Sequence, residues 1–222
     1  MNYQIVRLLD TEDAARLVRE LGEHLFVDGK LTANGSAREV KHNLQLQRSA
    51  PESSPLHQTV IDAFTRCAEF QAFALPKRVL APLFNRYEPG MQYGAHIDNA
   101  MMGGFSGLRT DLSVTLFLSP PDSYDGGELV VDLPSGEQEI KLDSGEAVVY
   151  PSTTVHRVAP VTRGVRLAAV TWVQSSVRDE RLRAILYDLH HALQTTEAGT
   201  DKALTLLLTK SYHNLIRYAV EP

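Results

Sequence analysis

Between Arg78 and Gln174 the chain keeps a period of two, and this limits its fold more than any other feature. Leu112, Val114, Leu116 and Leu118 alternate with Ser113, Thr115, Phe117 and Ser119, while Glu128 to Leu133, Glu137 to Leu142 and Ala147 to Tyr150 are further short extended runs. Successive side chains on a strand point to opposite faces, so this pattern suits sheets with a covered face. Tyr124-Asp125-Gly126-Gly127, Pro134-Ser135-Gly136 and Asp143-Ser144-Gly145 supply turns, the paired glycines included. Many short strands joined by glycine-bearing turns predict a sandwich or jelly roll.

The flanks are helical. A strand over Gln4 to Leu9 leads to a helix capped by Asp10 or Thr11, with Ala14, Leu17, Val18 and Leu21 on one side. Lys30 to Ser36 reads as a polar surface loop and Glu39 to Leu46 as an extended run. A second helix begins at Ser54-Pro55 and carries Val60, Ile61, Phe64 and Cys67. Cys67, the single cysteine, reads as a packing residue, and it excludes both an intrachain disulfide and a metal site built on several thiolates. After Ser175 the helical period returns through Leu182, Ile185, Leu186, Leu189 and Leu193, breaks over 196–200, and resumes through Leu204, Leu207, Leu208, Leu215 and Ile216. This helical hairpin must be covered by the barrel or by a second subunit, and a homodimer through it is expected. The expected organisation is mainly β with flanking helices: an N-terminal strand and supporting helices over 1–77, a jelly-roll core over 78–176 and a C-terminal helical extension over 177–222.

Charge and hydropathy narrow the partners. A net charge of −5 gives no overall basic field of the kind that drives nucleic-acid binding. No apolar run is long enough for a membrane helix, and the N-terminus lacks a basic stretch followed by an apolar one. Cytoplasmic residence without nucleic-acid or membrane partners is the expectation.

The stretch that carries chemistry is Tyr87 to Asp98. Residues two apart on a strand share a face, so His96 and Asp98 can present an imidazole nitrogen and a carboxylate oxygen to one point. Alone, a His-x-Asp is as well explained by a hydrogen-bonded pair at a strand end. His156, which follows the alternating block, supplies a third ligand. Two imidazoles and one carboxylate on one face of an octahedron leave three adjacent positions open, the arrangement of non-haem Fe(II) sites. With one negative ligand the site stays positive and favours a bidentate, dianionic 2-oxo acid. Such an acid needs a cation at its far end. Arg166 follows ten residues after His156, and with a hairpin turn at Thr162-Arg163-Gly164 it falls roughly 13 Å from that histidine at ~3.3 Å per strand step. Its guanidinium matches a carboxylate in a planar fork that Lys cannot reproduce. Leu167, Ala168, Ala169, Val170 and Trp172 place it on a buried strand, whereas Arg157 and Arg163 read as exposed.

These residues resemble the iron(II) and 2-oxoglutarate-dependent dioxygenases, and more narrowly the prolyl/lysyl hydroxylase-like branch called PKHD-type hydroxylases. Tyr87 to Asp98 matches the branch's Tyr-x-x-Gly-x-x-Tyr-x-x-His-x-Asp. Arg109 to Leu118, Tyr124 to Leu129 and His156 to Arg166 look like its following strands, and the two-helix tail is similar to its C-terminal extension. The resemblance implies a double-stranded β-helix, or jelly roll, flanked by helices. It implies Fe(II) on His96, Asp98 and His156, with Arg166 on the distal carboxylate of 2-oxoglutarate and Tyr87 as a further co-substrate contact. It also implies ascorbate as reductant and dioxygen consumed in hydroxylating a C–H bond of a small molecule or peptide. Arg166 stands where many animal and plant relatives use Lys, so prolyl substrates are not implied.

Other segments stay open. Asn99 to Leu108, with Met101, Met102 and Phe105 among three glycines, is either a mobile lid or a loop packed on the rim. Tyr93 is either a substrate-facing or a packed residue, and Trp172 reads as core. His24, His42, His57, His190, His191 and His213 have no spacing that suggests a second metal, and solvent or an interface is their expected setting. Two competing functions keep the metal site: a sensor of iron, oxygen or 2-oxoglutarate without productive turnover, and a cupin-like isomerase, which has no need of Arg166.

Overall fold

The computed structural model describes residues 3–22, 24–32, 35–47, 55–197 and 201–220. Two antiparallel sheets face each other. The larger runs, in spatial order, Gln4–Arg7, Glu146–Pro151, Leu112–Phe117, Arg166–Ser175, Leu83–Tyr87, Leu44–Leu46 and Phe26–Asp28, with Pro76–Val79 paired to the far end of Arg166–Ser175. The smaller runs Gly136–Ile140, Leu129–Leu133, His156–Val158, Gln92–His96 and Lys41–His42. This is the jelly roll with flanking helices and a C-terminal helical hairpin that the alternation and the resemblance imply.

The period of two is explained by what each face covers. On Leu112–Phe117 every residue is buried: Leu112, Val114 and Leu116 join a cluster with Leu17, Leu21, Val60, Phe64 and Phe70 of the N-terminal helices, while Phe117 joins Tyr87, Leu129, Val131 and Val158 in a second cluster. Ala147 and Val149 divide from Val148 and Tyr150 in the same way. Each fully buried aliphatic side chain contributes about 1.5–3 kcal/mol, so a slip of one residue on this strand would exchange Leu112, Val114 and Leu116 for Ser113, Thr115 and Phe117, two of them polar.

Local signals set the helix ends. Asp10, not Thr11, caps Thr11–Gly22, its Oδ1 accepting from the Asp13 amide at 2.7 Å. Asp179 and Asp201 do the same for Glu180–Glu197 and Lys202–Ala219. The Pro55–Arg66 helix starts where expected, although its Ser54 cap lies outside the described residues, as do Ala33 and Asn34 of the expected loop and 198–200 of the expected inter-helix break.

Several expectations need correction. The polar stretch from Lys30 to Ser36 is not simply a loop: Gly29–Thr32 is a 3-10 turn and Gly35–Glu39 a short helix, because polar residues can turn helically when one face packs on a sheet. Cys67 does not continue the second helix but starts a separate one, Ala68–Ala74, while still packing against the core. Thr162-Arg163-Gly164 is no hairpin turn. Val161–Gly164 is a strand that pairs with Tyr124–Gly126, and Arg163 meets Asp125 across that pair. His57 is buried at 6% exposure, its ring edge-on to Phe84.

The tail divides in its packing. Glu180–Glu197 buries Leu186, Tyr187 and Leu193, whereas Lys202–Ala219 buries none of its residues and leaves Leu204, Leu206 and Leu207 exposed. The barrel therefore does not cover that second stripe. No helix among the described residues is long and apolar enough to cross a membrane.

Candidate metal centre

Antiparallel pairing brings the distant stretches together. His156 lies directly opposite His96 where His156–Val158 pairs with Gln92–His96, and their rings stand 4.3 Å apart between centroids. The strand ends at His96, and Asp98 follows one residue beyond. Its Oδ2 comes within 3.8 Å of His156 Nε2. One ligand atom from each of His96, Asp98 and His156 lies within 4.8 Å of the others, close enough for one ion.

Each ligand is oriented by a second contact. His96 Nδ1 meets the Gly94 carbonyl at 2.8 Å and His156 Nδ1 the Thr154 carbonyl at 3.0 Å. A carbonyl only accepts, so both protons sit on Nδ1 and both Nε2 lone pairs are turned to the ion position. Asp98 Oδ2 accepts from Ser113 Oγ at 2.5 Å. Ser113 has one proton to give, so the 2.8 Å contact with Ser152 Oγ has Ser152 donating. Burial, and then the neighbouring His156, hold His96 down at about 4, so its ring is neutral and ready for a cation at neutral pH. Nothing in the spacing near Asp98 points to Ser113. Its one signal is a serine at a buried position of a central strand whose other polar residue is Thr115.

Arg166 opens its strand opposite Tyr87, from the larger sheet. It is 1% exposed, and its Cζ lies 5.2 Å from the ring centroids of both Tyr87 and Phe117. Nε and Nη2 meet no acceptor. A buried guanidinium with unused donors costs several kcal/mol unless an anion completes it. Gly127 makes room for it. A Cβ there would stand 2.9 Å from Arg166 Cδ, and the backbone is left-handed at φ +68. The expected turn at Tyr124–Gly127 is instead a strand, Tyr124–Gly126, with Gly127 just beyond it, and Gly127 serves a close approach to Arg166 that sequence spacing could not reveal.

His96, Asp98, Ser113, His156, Tyr87 and Arg166 line one cavity of about 390 Å³, within the range of small-molecule sites. Trp172, expected in the core, lines it, as do Tyr93, Tyr150, Leu83 and Val170. Tyr93 stacks on the His96 ring at 3.6 Å. Met101–Met102 and Leu108–Arg109 form a small hairpin at the rim, with Met102 lining the cavity and Phe105 at 99% exposure. Of the remaining histidines, none joins a metal-capable cluster among the described residues.

The donor set fits ferrous iron: two imidazoles and one carboxylate are hard-to-borderline ligands, and all three line the cavity. Arg166 lines the same cavity, and a buried guanidinium with donors left without an acceptor suits an anionic group there.

Comparison with known proteins agrees with this chemistry. Residues 82–174 match the family model of the 2OG-Fe(II) oxygenase superfamily, and 179–221 match that of the PKHD-type hydroxylase C-terminal domain. A PKHD-type hydroxylase of Klebsiella pneumoniae is 43% identical over 99% of both chains, and one of Pseudomonas putida is 44% identical over 98% of both. Among solved structures, a Pseudomonas putida prolyl-4-hydroxylase is similar in fold, with a TM-score of 0.53 at 20% identity over 78% of this chain and 92% of that one. A Trichoplax adhaerens prolyl hydroxylase, solved with a hypoxia inducible factor peptide fragment, gives 0.57 at 18% identity over 83% and 86%.

Proposed function

The chain belongs to the PKHD-type hydroxylases of the 2OG-Fe(II) oxygenase superfamily, enzymes that use Fe(II) and 2-oxoglutarate, and on that footing we propose that it hydroxylates an unactivated C–H bond of a small molecule or peptide. His96, Asp98 and His156 hold the iron in this reading, and Arg166 takes the distal carboxylate of 2-oxoglutarate with Nε and Nη2. Tyr87 contributes by lying against the guanidinium, which fixes the plane of the fork. When bound, iron and 2-oxoglutarate together activate dioxygen; one oxygen atom goes to the substrate carbon and one to succinate, with carbon dioxide released.

The protein's own part is positional. Gly94 and Thr154 carbonyls keep both imidazoles in the tautomer that ligates, and the Ser152–Ser113 relay holds Asp98. The apolar surfaces of Leu83, Val170 and Trp172 exclude water from the space where a target carbon would lie. The observation that carries the reading is the buried, unspent fork of Arg166 in the same cavity as the triad. A cupin-like isomerase leaves that fork unexplained, and a sensor leaves the rest of the cavity without a purpose.

The test is direct. Purified protein with Fe(II), ascorbate and 2-oxoglutarate should form succinate, and a screen of peptide and metabolite pools should find a product heavier by one oxygen. His96→Ala should abolish both. Succinate formation equal in wild type and His96→Ala would refute the assignment.

A further inference from the structure

The catalytic half of the cavity comes from 82–174, but one wall comes from a segment before it. There the chain passes from one sheet to the other: Lys41–His42 pairs with Gln92–His96 of the smaller sheet, and Leu44–Leu46 pairs with Leu83–Tyr87 of the larger. The crossing turns Lys41, Gln45 and, just upstream, Thr32 into the cavity beside Asn85. Gln45 Nε2 donates to Asn85 Oδ1 at 2.7 Å and Asn43 Nδ2 to the same oxygen at 3.0 Å, so these amides are largely spent on one another.

Lys41 is different. It is 5% exposed, its Nζ donates to Thr32 Oγ1 at 3.1 Å and stands 5.2 Å from the centroid of Tyr93, the ring that stacks on His96. Asp98 and Asp28 act on it through space, and among the described residues neither forms an ion pair with it. An ammonium has three protons to donate, and one neutral hydroxyl with one ring face is a poor exchange for the water it has lost.

Charge balance points the same way. Lys41 and Arg166 are cations, Asp98 is the one carboxylate in the lining, and both histidines ligate as neutral rings. Ferrous iron adds two positive charges and 2-oxoglutarate two negative ones. One positive charge is then left unmatched among the groups of the cavity.

We propose that Lys41 is the residue that selects the substrate, binding a carboxylate of the molecule to be hydroxylated through its ammonium group. This rests on the hydroxylase reading above and extends it to the substrate's chemical class: an acid whose carboxylate lies on the Thr32–Lys41 wall, with the target carbon over the Tyr93–His96 side. Burial draws the ammonium down to about 8, so it is still mostly protonated at neutral pH, and an arriving carboxylate would return it to its ordinary range.

The experiment uses wild-type protein with Zn(II) in place of iron, so that nothing turns over, and 2-oxoglutarate added first. Calorimetric binding of 2-oxoglutarate checks the underlying reading by itself; its failure would count against the oxygenase site and not against Lys41. Matched probes follow: hexanoate against hexanamide, and a blocked Ala-Glu-Ala peptide against Ala-Gln-Ala, which separate a small acid from an acidic peptide side chain. In at least one pair the acid should bind about tenfold or more tightly than its amide, as expected for a charge-assisted hydrogen bond. Lys41→Met, with folding checked by its melting curve, should remove the preference. Equal binding of acid and amide in both pairs overturns the proposal without any variant being needed, as does a preference that survives in Lys41→Met.

Discussion

Gly127→Ala tests the anchor without touching a charged group. At φ +68 an L side chain costs about 1–2 kcal/mol in backbone strain. The added methyl would lie 2.9 Å from both Arg166 Cδ and Val161 Cγ2 and 3.2 Å from Tyr124 Cε2. Carbon atoms pack best near 3.5–4.0 Å, so the arginine stem must retreat by roughly 0.6 Å or more. It cannot simply tilt, because Tyr87 and Phe117 each stand 5.2 Å from its Cζ. Displacement of the fork should break one of its two hydrogen bonds to the oxo acid, worth about 1.5–3 kcal/mol, and so weaken 2-oxoglutarate binding roughly 10- to 100-fold. His96, Asp98 and His156 lie outside the strand of Arg166, and the proposed metal site should keep its affinity. Anaerobic titration of 2-oxoglutarate into the Fe(II)-loaded variant, read by calorimetry or by the weak visible charge-transfer band, measures the first effect, and a metal titration without the oxo acid measures the second. A 2-oxoglutarate affinity within threefold of wild type, in a folded variant with normal metal binding, would refute the assignment of Arg166 as a fork held in place by Gly127.

Arg166→Lys should fail to restore 2-oxoglutarate binding beyond the level of Arg166→Gln, since an ammonium lacks the planar pair of donors that a guanidinium carries; equal affinity of Arg166→Lys and wild type would contradict this. Ser113→Ala removes the 2.5 Å bond to Asp98 and leaves buried Ser152 without its acceptor, and metal affinity should drop about 10- to 100-fold, as measured by competition with a chelating dye. Lys41 gives a stability test: burial puts it near 8 against 10.5 in the unfolded chain, so between those values the unfolded chain holds more protons and wild-type stability rises with pH. Lys41→Met should therefore be more stable than wild type below pH 8, by at most on the order of 3 kcal/mol, and should lose that advantage by pH 10.5 in urea unfolding curves. A difference independent of pH would show that the ammonium is not desolvated in the folded state.

The barrel was legible because an alternating pattern and glycine turns report local geometry, and the convergence of His96, Asp98 and His156 because a His-x-Asp and a later His are chemically specific. The route to Arg166 was not. The expected hairpin at Arg163 put it beside His156 on one pair of strands, whereas Val161–Gly164 pairs with Tyr124–Gly126 and Arg166 arrives on the opposite sheet, against Tyr87. The apolar neighbours foretold its burial, but strand pairing over long separations is a global property. Trp172 and His57 were misplaced for the same reason: one apolar position faces the cavity and one polar position is buried. An alternating pattern separates two faces without saying which encloses a ligand.

Sequence alone thus indicated most of the elements and a candidate chemistry: strands from a period of two, helices from capped amphipathic runs, and a proposed ligand set from residue types that bind a borderline divalent ion. Tertiary structure decided what converges. The Ser152–Ser113–Asp98 relay, the space that Gly127 gives Arg166, and the wall built by Thr32, Lys41 and Gln45 join residues from separate strands. The physical reason is range: backbone preference and side-chain alternation act over a few neighbours, whereas cavities, unspent donors and unmatched charges exist only once two sheets have closed on each other.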